Sequence, residues 1–162
     1  MHLSVHPDGK VMVTVPTVFN QKKVDLFVEK YAHWIAKKIK QIKSRNIIWG
    51  EKKLIPIYKK QARVFVEERC AYFGKLYGVK PEKISIRGQK SRWGSCSRKG
   101  NLNFNYQIIF LPPQLADQVI VHELCHLIEF NHSKRFWDLV GKAIPDYVAV
   151  RKELRKTNIY MK

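Results

Sequence analysis

Between Gly100 and Ser133 the chain carries no lysine or arginine, although the full sequence of 162 residues holds 31 of them against 13 acidic residues. Asp117, Glu123 and Glu129 fall inside this stretch, which marks a segment whose chemistry needs freedom from fixed cations. Its apolar pattern constrains the fold more tightly than any other. Leu102, Phe104, Tyr106 and Ile108 alternate with Asn101, Asn103, Asn105 and Gln107, the period of two that turns one face of a strand inward. Pro112 and Pro113 then preset the backbone for a helix start. That helix is expected to run to about residue 130 and to stop at Asn131, because asparagine tolerates the left-handed conformation.

The flanking sequence supplies further elements. A strand over 12–15 pairs with 2–6 across Pro7-Asp8-Gly9, a hairpin signal. Over 21–43, Val24, Phe27, Val28, Tyr31, Trp34, Ile35, Ile39 and Ile42 recur at helical spacing with lysines on the remaining face. Residues 44–57 form a connector with one short strand. Ala62, Phe65, Val66, Cys70, Phe73 and Leu76 define a second helix over 58–77, with Gly78 as its left-handed stop. A strand over 84–87 and the strand over 101–110 flank the loop 88–100, and two last helices, 133–143 and 146–156, are divided by Pro145. The fold class is α+β, without internal repeats.

Length and 45% hydrophobic content suit one domain with its own core. No apolar run approaches the roughly 18 residues of a membrane helix, and the start MHLSVHPDGK lacks the apolar core of a secretion signal. Three cysteines, an odd number, fit a reducing compartment, so a cytoplasmic location is expected and membrane partners are excluded. The net charge of +18 implies an anionic partner. It is spread evenly, with 15 basic and 6 acidic residues up to Arg69 and 16 and 7 beyond it, +9 on each side. The lysines within 22–43 are either a solvated basic face or a surface for weak, nonspecific nucleic-acid binding that fades with salt.

The chemistry-bearing motif is Val121-His122-Glu123-Leu124-Cys125-His126. Histidines at i and i+4 share one helical face, so both rings can ligate one Zn²⁺. Glu123, rotated by about 100°, stands beside such an ion and can accept the proton of an activated water. His132 follows six residues after His126, beyond the expected helix end, where a turn returns its ring to the other two. Three neutral ligands leave a coordination position open. His2, His6 and His33 lack this spacing. Cys125 is a small core residue, and Cys96, among basic neighbours, is structural or mildly reactive.

The run Lys90-Ser-Arg-Trp-Gly-Ser-Cys-Ser97, together with Gly100-Asn-Leu-Asn-Phe-Asn105, the histidine motif, Asn131-His-Ser133, Phe136-Trp137 and Pro145-Asp146-Tyr147, resembles the YgjP-like metal-dependent hydrolase family, grouped with SprT-like and WLM zincin metallopeptidases. The resemblance is strongest from 58 to 154. It implies a zincin-like fold, a small mixed sheet packed against helices, with the metal helix carrying the HExxH motif. It also implies zinc on His122, His126 and His132 and Glu123 as general base. The domain expected is a single one over 1–162, with a basic N-terminal hairpin, helix and connector at 1–57 and a catalytic core at 58–162. Glu129 stands where metzincins carry a helix-breaking glycine, and no methionine turn follows.

Around the metal, the strand over 101–110 is either an edge that receives an extended substrate or an interior strand. Arg92 and Trp93 present a cation and an aromatic wall to substrate, or Trp93 packs under the sheet. Arg92, Asn105 and Tyr147 are the candidates for an oxyanion donor. The leading expectation is a zinc-dependent metallopeptidase acting on a peptide or protein, with another divalent metal as the variant. A metal-dependent nucleoside triphosphate hydrolase is the alternative, supported by charge and opposed by the absence of a Walker-type phosphate loop. The second alternative is a nucleic-acid-associated protein whose zinc site acts on bound proteins.

Overall fold

The computed structural model of the protein describes residues 1–161 except 7, 44, 45 and 90, with the backbone alone at 46, 47, 49, 160 and 161. Pro7 of the expected turn, Ser44 and Arg45 of the connector and Lys90 of the loop motif lie outside the described residues. Strands β1 (His2–Val5) and β2 (Val11–Thr14) pair antiparallel, with Leu3 opposite Val13 and Val5 opposite Val11. Gly9 adopts φ +90° near the turn.

The helix expected over 21–43 is two helices, α1 (Gln21–Lys30) and α2 (Ala32–Lys43). At Tyr31 the N–H reaches back to the Val28 carbonyl at 3.1 Å, a three-residue step that tightens the turn and interrupts the α ladder. No glycine or proline marks the break. The connector carries its expected strand, β3 (Asn46–Gly50). Helix α3 (Ile55–Tyr77) begins three residues before the expected start at 58, because Pro56 presets its first turn, and ends at Gly78, whose φ of +65° makes it the left-handed stop that the sequence predicts. Its inward face holds Ala62, Val66, Cys70 and Phe73.

Three strands follow: β4 (Lys83–Arg87), β5 (Gly94–Cys96) and β6 (Asn101–Asn105). Their order is β4-β6-β5, with β6 parallel to β4 and antiparallel to β5, a small mixed sheet. Strand β6 is therefore interior, and the edge-strand reading of 101–110 is corrected: the neighbouring edge is β5. That strand also ends early. At Asn105 the side-chain Oδ1 accepts the Gln107 N–H at 3.1 Å, turning the chain into a 3-10 turn over Tyr106–Phe110. Tyr106 and Ile108 stay buried, so the alternation continues beyond the strand that it marks.

Helix α4 (Pro113–Cys125) is buried on nearly every side, with Leu115, Ala116, Val119, Ile120, Val121, Leu124 and Cys125 all enclosed. It packs against α3, β5, α5 (Lys134–Ala143) and α6 (Tyr147–Leu154). The predicted end near residue 130 is corrected. Beyond Cys125, Leu127 and Ile128 bond back three residues, to Leu124 and Cys125, each at 3.0 Å, so the ladder tightens and stops. Asn131 is not left-handed, since no described non-glycine residue has positive φ. Ser133 starts α5 by accepting the Phe136 N–H on its hydroxyl. The last helix ends two residues early, and the chain closes in an unexpected strand, β7 (Thr157–Met161), paired with β3.

The chain forms two compact units, Met1–Ile48 with Lys156–Tyr160 and Trp49–Arg155. The second contains α3 to α6 and the mixed sheet. Within it a two-pronged ion pair ties α3 to α4: Arg69 Nε and Nη2 donate to Asp117 Oδ1 and Oδ2 at 2.8 and 2.7 Å. The guanidinium also lies 4.9 Å from the ring centres of Tyr72 and Phe73, so its geometry is fixed on both sides. Asp117→Ala should lower stability by about 1.5–3 kcal/mol, read as a lower urea midpoint with an unchanged slope; an unmoved midpoint contradicts this role for the pair.

Candidate metal centre

The last turn of α4 presents His122 and His126 on one face, their ring centres 4.8 Å apart. The tightened turn and the Ser133 cap then bring His132 back over them. The three histidines offer one ligand atom each, all within 4.8 Å of one another. His132 Nε2 lies 3.0 Å from His122 Nε2. The Phe136 ring lies against all three, at 4.9, 4.5 and 4.8 Å from His122, His126 and His132. One apolar side chain thus sets the position of three donors.

Burial, with the charges of His126 and His132 adding to it, pushes the His122 pKa down to about 3. Burial lowers His126 as well. At neutral pH these rings are uncharged and keep a lone pair, the state that a metal ion needs. His126 Nδ1 lies 3.2 Å from the Glu129 carbonyl oxygen; a carbonyl only accepts, so Nδ1 carries the hydrogen and Nε2 is left to ligate. The 3.0 Å approach of the His122 and His132 ring nitrogens is favourable where a cation or a shared proton lies between them. A tetrahedral ion about 2.0–2.1 Å from each nitrogen sets them about 3.4 Å apart, so the observed spacings suit it after small ring rotations.

Glu123 lies outside this donor set and is 6% exposed. Burial raises its pKa to about 8, partly offset by the Arg92 charge. The carboxylate fits beneath β5 because Gly94 has no side chain: a Cβ there lies 2.7 Å from Glu123 Cγ and 2.8 Å from Oε1. No sequence period signals this close approach. A glycine in a polar loop reads only as a turn, and its role becomes visible when strand and helix meet.

The remaining candidates divide. Arg92 is exposed and acts electrostatically on Glu123. Trp93 is half-buried, and its carbonyl accepts the Asn105 N–H at 2.7 Å. Asn105 is buried, and its amide nitrogen donates to the Gln89 and Arg92 carbonyls at 2.7 and 3.4 Å, so its side chain holds the loop in place. Tyr147 stacks on Trp137 at 5.2 Å; Trp137 in turn stacks on His132 at 5.7 Å and carries the Arg151 guanidinium at 4.6 Å. Arg151 was not singled out by the sequence, where it is one cation of an exposed helix face. Burial pushes both Cys96 and Cys125 up to about 11, which disfavours the nucleophilic thiolate. His2, His6 and His33 take no part in the cluster.

Comparison with curated proteins gives no match. Among solved structures, the fold resembles the crystal structure of the metallopeptidase zymogen of Pyrococcus abyssi abylysin, with TM-score 0.52, 21% identity, and coverage of 59% of this chain and 99% of that one. That likeness supports the zincin-like α+β class. No helix among the described residues is long and apolar enough to cross a membrane. Residues 45–157 match the family model described as YgjP-like, metallopeptidase domain, a span that contains every residue of the histidine cluster, Glu123 and Gly94. The chain belongs to the YgjP-like metallopeptidase-domain family, whose activity requires a catalytic metal and acts on peptides or proteins.

Proposed function

We propose that the protein is a zinc-dependent peptidase in which His122, His126 and His132 hold the ion and Glu123 is the general base. The observation that carries this reading is the convergence of three imidazole nitrogens, within 4.8 Å of one another, on one side of a buried carboxylate's helix turn. An all-imidazole donor set suits zinc among the common divalent metals. When bound, zinc lowers the pKa of a coordinated water toward about 7 and polarises a carbonyl oxygen.

The chain's own residues do the rest. Glu123, raised in pKa by burial, accepts a proton readily from the attacking water and passes it to the leaving amine. The edge strand β5 lies directly over that carboxylate, and its outer backbone groups suit an extended peptide added by main-chain hydrogen bonds. Asn105 serves by position: it fastens the loop around Arg92 and Trp93 to the end of β6.

The purified protein should carry one zinc ion per chain, counted by plasma mass spectrometry. His122→Ala combined with His126→Ala should release it, and full occupancy in the double variant contradicts the ligand assignment. Glu123→Gln should keep metal and fold yet slow peptide hydrolysis by about 10²–10⁴; turnover at the parent rate removes Glu123 as the base. In Gly94→Ala the new methyl displaces the Glu123 side chain, so metal content should persist while turnover falls, and an unaltered rate means that the carboxylate need not sit where β5 holds it.

A further inference from the structure

The cation-free stretch 100–133 does not leave the histidine centre free of cations. The fold brings arginines from elsewhere in the chain to the rings that adjoin it. Arg92 lies in the loop before β5, where the Asn105 amide donates to its carbonyl, and β5 covers Glu123. Arg98, in the turn after β5, lies 5.8 Å from the Phe130 ring, which is 5.9 Å from the His126 ring. Arg98, His126, Phe130 and Asn131 line one open hollow of about 360 Å³. Arg151, on α6, lies 4.6 Å over Trp137, and Trp137 stacks on His132. All three arginines are exposed, and none forms an ion pair among the described residues. The contrast with Arg69, locked onto Asp117, shows what a structural arginine of this chain looks like.

We propose that Arg92, Arg98 and Arg151 form a recognition ring for carboxylate side chains and that the substrates of this centre are peptides rich in aspartate and glutamate around the cleaved bond. The inference rests on the peptidase reading. Guanidinium forks match carboxylates in two-pronged geometry, and the aromatic faces beneath Arg98 and Arg151 hold two of the forks without using their donors. Arg92 and Arg98 flank the two ends of β5 and Arg151 comes from α6, so an extended acidic chain laid along β5 meets a cation at either end of the strand.

The test is a fluorescence-anisotropy titration of metal-loaded E123Q protein at about 0.15 M salt. The probes are an unstructured peptide rich in Asp and Glu and its counterpart with Asn and Gln. Binding should favour the acidic peptide by about tenfold or more, the sum of several exposed pairs. The combined change Arg92→Gln, Arg98→Gln and Arg151→Gln should erase that preference, whereas lysines at the same positions should retain part of it. Gln replacements at Lys37, Lys38 and Lys40 should leave it in place. Equal binding of the two peptides overturns the proposal. So does a preference that survives the triple arginine variant, or one that vanishes with the lysines of α2. A nucleoside triphosphate that binds more tightly than the acidic peptide overturns the assignment to peptides. Cleavage of no peptide by the parent protein counts against the peptidase reading, while the binding preference still tests the ring.

Discussion

Glu123 and His122, two ionisable groups, are carried by a helix that is buried on nearly every side, and the surrounding structure is arranged around that conflict. Helix α4 is enclosed by α3, α5, α6 and β5, and its Asp117 is paired with Arg69 of α3. His122 and Glu123 lie toward its C-terminal end, where the ladder tightens and stops after Cys125. Burying an ionisable group without a partner is costly, and the cost appears as displaced pKa values, downward for His122 and upward for Glu123. Both shifts favour the uncharged forms. An uncharged His122 ring keeps the lone pair that a ligand atom needs, and a carboxyl raised in pKa takes up a proton readily.

The supporting contacts follow from the same constraint. Phe136 fixes the ring positions from below, and the Glu129 carbonyl selects the His126 tautomer. Gly94 lets β5 approach close enough to cover Glu123. Asn105, at the joint between β6 and the 3-10 turn, satisfies backbone groups on both sides of it, so the loop above the site is anchored in the sheet. None of these residues needs to touch a substrate in order to shape the chemistry.

The legible parts of the fold are those governed by local rules. Gly78 ends α3 because a left-handed residue costs glycine little, and the histidine spacing places two rings on one helix face whatever surrounds it. The illegible parts depend on distant partners. Tyr31 breaks a helix with no local breaker, and β7 exists because β3 offers it an edge. The alternation of 101–108 continues after the strand has ended, because a 3-10 turn can bury Tyr106 and Ile108 as well as a strand does. Whether β6 was edge or interior was decided by β5, a strand of three residues hidden in a polar loop. The histidine triad and Glu123 were legible as a motif. Gly94, Phe136 and Arg151 were not, because their meaning lies in what the tertiary structure sets beside them.

The three thiols, raised to about 12 at Cys70 and about 11 at Cys96 and Cys125 by burial, carry a consequence for handling and for life in an oxidising environment. Sulfur attacks peroxides and alkylating reagents as the thiolate, a form scarcely populated here at neutral pH. Cys125 is adjacent to His126, and a thiol at such a position is ordinarily a weakness, open to alkylation and to oxidation. Cys125 escapes both because its sulfur lies in the core, so the centre should tolerate peroxide and thiol-directed reagents that disable enzymes built on exposed cysteines.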